Sequence, residues 1–186
     1  MPPTPGAILI PADKIAERVR RLGADLASVY AGREPVLVAV MKGSVLLLAD
    51  LVRAWPGPMD VEIVSCQSYA GTRPGDVRCS LPPDFAARVA GRPVLVIDDI
   101  YDTGATLRRV CEDVRAMGPA DVRTLVLLRK RRPAPPDAPP DAPPDAPPVT
   151  PDWVGFEIED RFVVGYGLDY NGRFRNLPHV AALDGA

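Results

Sequence analysis

Hydrophobic positions along the chain switch between two periodicities. Residues 7–10 read as a short strand, after which Ile15, Val19, Leu22, Leu26 and Val29 recur at spacings of four and three. That is the apolar stripe of an amphipathic helix, which Asp13 would cap. Residues 35–40, Pro-Val-Leu-Val-Ala-Val, are apolar on both faces, as in a strand buried within a parallel sheet. Beyond Met41-Lys42-Gly43, the apolar stretch 44–55 has helical length. Residues 61–66 predict another strand, 93–97 a second fully apolar one, and 106–117 a helix that Gly118-Pro119 would end. A third apolar strand is predicted over 122–128. The alternation predicts an α/β fold: an open, twisted, mostly parallel sheet flanked by helices, with ligands at the carboxyl ends of its strands. Lys42, Asp98, Asp99, Asp102 and Lys130 then share one edge.

Two segments break the pattern. Residues 69–83 are rich in Gly, Pro, Arg and Asp and read as a polar loop or an exposed hairpin. Between 132 and 152 the unit Pro-Pro-Asp-Ala occurs three times over 135–146, followed by Pro147-Pro148. Proline fixes φ and removes backbone donors, so this insert is expected to be an extended, solvated connector rather than part of a core. A proline-motif ligand for a partner domain is the alternative reading. After it, 153–158 and 162–166 predict two short strands that fold back over the sheet edge as a hood. One domain is expected over 1–186, with a core of about 7–132, the insert at 133–151 and the hood at 152–186.

Composition narrows the function classes. A net charge of −2 gives no general attraction to phosphate backbones, so nucleic acid is not an expected partner. The longest apolar runs, 36–41 and 45–52, fall well short of the roughly 20 residues that cross a bilayer. The proline-rich start lacks the basic and apolar regions of a secretory signal, and a cytoplasmic protein is expected. Cys66, Cys79 and Cys111 lack metal-ligand or CxxC spacing and are expected as reduced thiols. His179, the single histidine, is expected in a surface or packing role.

The chemistry concentrates in Val94-Leu-Val-Ile-Asp98-Asp99-Ile-Tyr-Asp102-Thr103-Gly104-Ala105-Thr106, a buried strand ending in acids and turning through small polar residues into a helix. Small residues let the backbone approach a ligand, and the free N–H groups of a helix N-terminus, with the Thr103 and Thr106 hydroxyls, can grip a 5′-phosphate. Asp98 and Asp99 can accept from vicinal hydroxyls or from the waters of a magnesium ion. A plain capping turn needs one Asp or Thr and does not explain two further acids.

The same string resembles the phosphoribosyl pyrophosphate signature of the type I phosphoribosyltransferases. Residues 156–178, Phe-Glu-Ile-Glu-Asp-Arg-Phe-Val-Val-Gly-Tyr-Gly-Leu-Asp-Tyr-Asn-Gly-Arg-Phe-Arg-Asn-Leu-Pro, resemble the hood of the hypoxanthine-guanine members. Met41-Lys42-Gly43-Ser44 is similar to that family's diphosphate loop, Ser68-Tyr69 to the start of its flexible loop, and Leu127-Leu128-Arg129-Lys130 to its base-reading strand end. The resemblance implies transfer of a phosphoribosyl group from phosphoribosyl pyrophosphate to a 6-oxopurine, with Mg2+ as cofactor, in a homodimer or homotetramer. It implies Asp102 as the catalytic acid or base at purine N7, and Asp98, Asp99, Thr103, Gly104, Ala105 and Thr106 as the phosphoribosyl site. It further implies Lys42, Gly43 and Arg175 at the diphosphate, Lys130, Phe162 and Val163 at the base, and Asp169 with Asp98 and Asp99 at the metal. Asp98-Asp99 stands where Glu-Asp is common in the family. A xanthine- or guanine-preferring relative, or a regulatory nucleotide- or RNA-binding one, stays open at this point.

Overall fold

The computed structural model describes residues 3–68, 77–131 and 150–185. The proline-rich insert, apart from its last two residues, and Tyr69 lie outside them. A strand, β1 (Thr4–Ile10), leads into helix α1 (Ala12–Val29), whose residues Ile15, Val19, Leu22 and Leu26 are buried as their spacing predicts. Val29 ends the stripe at 38 % exposure. Asp13 lies in the first turn of α1 but does not cap it; Pro11 holds the cap position, where its fixed φ suits an extended residue entering a helix.

β2 (Val36–Met41), α2 (Val45–Ala54), β3 (Asp60–Ser68), β5 (Pro93–Tyr101), α4 (Ala105–Arg115) and β6 (Asp121–Arg131) follow the predicted alternation. Within 69–83 the hairpin reading holds for 77–80, because β4 (Val77–Ser80) pairs antiparallel with the end of β3. A short helix, α3 (Phe85–Val89), was not anticipated; five residues are too few to show a helical period. The six-stranded sheet runs β4-β3-β2-β5-β6-β7, parallel except for β4.

Alternation along the central strands builds two cores. Val36, Val38, Val40, Val94, Val96 and Val126 meet Leu107, Val110 and Val114 of α4 with Phe85 and Val89 of α3. The intervening Leu37, Ala39, Leu95, Ile97, Leu125 and Leu127 meet α1 and α2. A sheet covered on both faces explains why these strands read as unbroken apolar runs.

Three expectations need correction. β5 does not stop at the acids: Asp98 pairs with Val126, Ile100 with Leu128 and Tyr101 with Arg129, so the ladder carries the acids inside the strand. β7 (Trp153–Glu159), expected to fold back over the sheet edge, is the sheet edge, parallel to β6. The small three-stranded sheet instead joins β8 (Val163–Val164), β9 (Val180–Asp184) and β1. Cys66 and Cys79 are not thiols but a disulfide; they stand directly opposite in the β3–β4 ladder, a proximity that their separation of 13 residues does not reveal. Cys111 is free and buried, and no helix among the described residues is long and apolar enough to cross a membrane.

Two contacts fix β7 at the edge after the insert. Arg18 of α1 donates to the carbonyls of Val154 (2.7 Å) and Gly155 (2.9 Å). Asp152 accepts from the Thr124 backbone N–H (2.8 Å) and hydroxyl (2.7 Å), and its own N–H donates back to that hydroxyl. Thr124 is 1 % exposed, so Asp152→Ala leaves buried donors unpaired. The expected loss is about 1–3 kcal/mol, read from urea unfolding.

Candidate active site

Strand order reverses between β2 and β5: the chain passes outward from β2 to β3 on one side and from β5 to β6 on the other. In such a sheet the crevice at the carboxyl ends of these two strands is the natural ligand position. A cavity of about 400 Å³ lies there, lined by Lys42 and Gly43 after β2, by Asp98, Asp99, Asp102 and the 103–106 turn from β5 into α4, and by Asp169 and Arg175. A second cavity, about 230 Å³, adjoins it and is lined by Asp99, Ile100, Asp102, Lys130, Phe162, Val163, Leu168 and Asp169. Every site residue expected from the sequence lines one of the two, apart from Ser68 and Tyr69. Ser68 ends β3, and Tyr69 lies outside the described residues.

Local structure explains the placement. Ser44 is fully buried and its hydroxyl donates to the Val40 carbonyl (2.6 Å), folding the chain sharply after β2. The Met41–Lys42 peptide bond is cis. Gly43 then lies so close to Asp99 that a β-carbon would fall on the carboxylate, and a β-carbon at Gly167 would fall on the Gly43 carbonyl. Gly104 takes φ 79° at the start of α4, and the Thr103 hydroxyl accepts from the Ala105 N–H at 3.4 Å.

Adjacent acids dominate the electrostatics at the end of β5. Burial, with the neighbouring Asp99 charge, pushes the Asp98 carboxyl well above the usual range. Asp99 is also raised by burial, although hydrogen bonds and the charge of Arg175 oppose the shift. Arg175 pairs with Asp169 (2.6 Å) and donates to the Gly167 carbonyl (2.5 Å), while Asp169 accepts from the Gly172 N–H (2.6 Å). In the second cavity Lys130 is shielded, with its side chain 12 % exposed, and its ammonium sits 3.6 Å from Asp102 and 3.1 Å from Asp160. Phe162, 46 % exposed, meets Tyr170 edge to face at 5.7 Å.

Sequence reasoning missed Asp160, Tyr101 and Gly167. Asp160 comes to Lys130 only through the β6–β7 register, which no local spacing encodes. Tyr101 lies against Gly104, and Gly167 against Gly43. His179 is half-buried and lines neither cavity.

A cavity walled by acids and a helix N-terminus at the switch point, adjoining a smaller one lined by Lys130 and Phe162, is the arrangement to set beside known proteins, and the class they define is that of the phosphoribosyltransferases. The model of the phosphoribosyl transferase domain matches residues 9–171. The hypoxanthine-guanine phosphoribosyltransferase of Bacillus subtilis is 34% identical over 176 residues, covering 95% of this chain and 92% of that one. Hypoxanthine phosphoribosyltransferase from Trypanosoma cruzi, solved with the product IMP, superposes with a TM-score of 0.82 at 31% identity, covering 97% of this chain and 95% of that one. The bifunctional protein TilS/HprT of Listeria monocytogenes is 35% identical over 95% of this chain, which spans only 26% of that protein's length. The chain belongs to the phosphoribosyl transferase family, in its hypoxanthine-guanine branch.

The raised Asp98 carboxyl fixes a pH dependence. An unfolded Asp ionises near its ordinary value, about 3.9, whereas the folded one resists ionisation. The free protein therefore loses stability as pH rises through the raised value, and is spared that loss in acid. Asp98→Asn keeps the acceptor for the Asp99 N–H (2.9 Å) but removes the charge. Thermal melts should show a higher Tm for the variant at about pH 8, with the gap closing towards about pH 4.

Proposed function

We propose that this chain transfers the 5-phosphoribosyl group from phosphoribosyl pyrophosphate to N9 of hypoxanthine, and of guanine, releasing diphosphate. The observation that carries the reading is a shared wall. Asp99, Asp102 and Asp169 line both cavities, and Asp102, which also faces Lys130, can meet a base in one while the sugar phosphate lies in the other.

On this reading the 103–106 turn and the N-terminus of α4 hold the 5′-phosphate with backbone N–H groups and the helix dipole. Lys42 and Gly43 provide the diphosphate side of the same cavity, and Arg175 lies on its wall with Asp169. Phe162 offers a ring face for the purine, and the Val163 backbone an edge to pair with it. Lys130 donates to the 6-oxo oxygen; an ammonium has three donors and no acceptor, so a 6-amino group would be disfavoured. Asp102 manages the proton at N7 while N9 attacks ribose C1. Charge building on the departing diphosphate is met by donors already in place, which is where preorganisation is most effective.

The residues present suit magnesium. The buried Asp98 and the half-buried Asp99, both driven above their usual range, would be relieved by a cation, with Asp169 on the same wall. Among the described residues no three or more His, Cys, Asp or Glu form a ready metal cage. Magnesium suits such a place, because it keeps several waters and takes substrate phosphate oxygens alongside one or two carboxylates. Asp98, Asp99 and Asp169 would hold it, and when bound it would supply neutralising charge to the diphosphate.

Exposed Val61 and Ile63 on β3 support assembly as a homodimer or homotetramer. The proposed compartment is the cytoplasm, because a polyanionic substrate does not cross bilayers unaided; there the Cys66–Cys79 pair would face a reducing pool.

The test is a magnesium-dependent transfer assay with phosphoribosyl pyrophosphate and hypoxanthine, guanine, xanthine and adenine in parallel. Transfer to 6-oxopurines is expected to exceed transfer to adenine and to vanish without the metal. Asp102→Asn should lower turnover by about 10²–10⁴-fold. Absence of transfer to any purine by the folded protein would overturn the reading.

A further inference from the structure

Lys130 stands between two carboxylates of unequal duty. Its ammonium lies 3.1 Å from Asp160 Oδ1, within hydrogen-bonding reach, and 3.6 Å from Asp102 Oδ2. Asp102 lines the smaller cavity, whereas Asp160 does not. Asp160 is the first residue after β7, and the register that sets Lys130 beside Ile158 and Arg131 beside Glu159 brings it to the lysine.

We propose that Asp160 is a positioning residue for base recognition: it holds the Lys130 ammonium off Asp102 and aimed at the 6-oxo group. The proposal rests on the reading of Lys130 given above. A lysine side chain carries four rotatable bonds, and its direction is set by whichever partner takes the charge. Tethering one of its three donors to Asp160 leaves the others for an acceptor in the cavity. Without the tether the nearest carboxylate is Asp102, the proposed proton carrier. The ammonium would then close on Asp102, and an incoming purine would have to break that pair before meeting either group. Asp160 acts through Lys130 and touches no substrate atom. Its loss should therefore weaken binding of the base while leaving the sugar-phosphate side unaffected, because neither Lys130 nor Asp160 lines the larger cavity.

The outcome expected of Asp160→Ala is a KM for hypoxanthine raised about tenfold or more, with the KM for phosphoribosyl pyrophosphate within about twofold and kcat within about threefold, a loss of uniform binding. Asp160→Asn, which keeps an acceptor but not the charge, should fall between Asp160→Ala and the unchanged protein, and Asp160→Glu should restore most of the affinity. Equilibrium binding gives a second readout that does not depend on turnover: inosine 5′-monophosphate should bind more weakly to Asp160→Ala, and ribose 5-phosphate equally well. Asp160 has a side chain 42 % exposed, so a general loss of folding is not the expected effect. An active unchanged protein whose Asp160→Ala variant keeps its KM for hypoxanthine within twofold would overturn the tether alone. So would equal rises in both KM values. A folded, unchanged protein that transfers nothing to a 6-oxopurine would overturn the proposed function and the tether with it.

Discussion

Parallel pairing of β2 with β5 brings Gly43 so close to Asp99 that no side chain fits between them, and most of the site is arranged around this approach. It places the loop after β2 against the acids of β5. It also requires the next layer to be glycine, since the Gly43 carbonyl is in turn covered by Gly167. Three segments far apart in sequence thus close on one point without a bulky residue. The space left beside it is the larger cavity. Asp98 is buried and Asp99 half-buried at that point at an electrostatic cost, which the fold tolerates because both cores hold the strand around them.

The smaller cavity depends on a second constraint, the position of β7. The chain leaves β6 immediately after Lys130 and Arg131, and returns at Asp152, locked to Thr124 near the other end of the same strand. This return makes β7 the sheet edge and delivers Asp160, Phe162 and Val163 beside Lys130. β9 then pairs with both β8 and β1, so the first strand of the chain supports the segment that borders the smaller cavity.

The central strands and long helices were legible because burial on both faces leaves unbroken apolar runs, and one-sided burial leaves a helical stripe. Candidate residues in the 98–106 string were legible because small residues and acids there serve no packing purpose. Other features were not. Asp98 and Asp99 read as the end of a strand, since charge inside a ladder is unusual, yet their backbone pairing with β6 is unaffected by what the side chains carry. Cys66 opposite Cys79, and Asp160 beside Lys130, depend on strand register, which no local spacing encodes. The edge position of β7 was hidden for the same reason, as its partner lies on the far side of the proline-rich insert.

On the proposed function, Asp102 serves the sugar phosphate in one cavity and the base in the other. A crystal structure of the protein with inosine 5′-monophosphate and magnesium tests it most directly. The phosphate is expected against residues 103–106, the purine between Lys130 and Phe162, and an Asp102 oxygen within hydrogen-bonding distance of N7. A nucleotide bound with its purine in the larger cavity, or with N7 out of reach of Asp102, would contradict it.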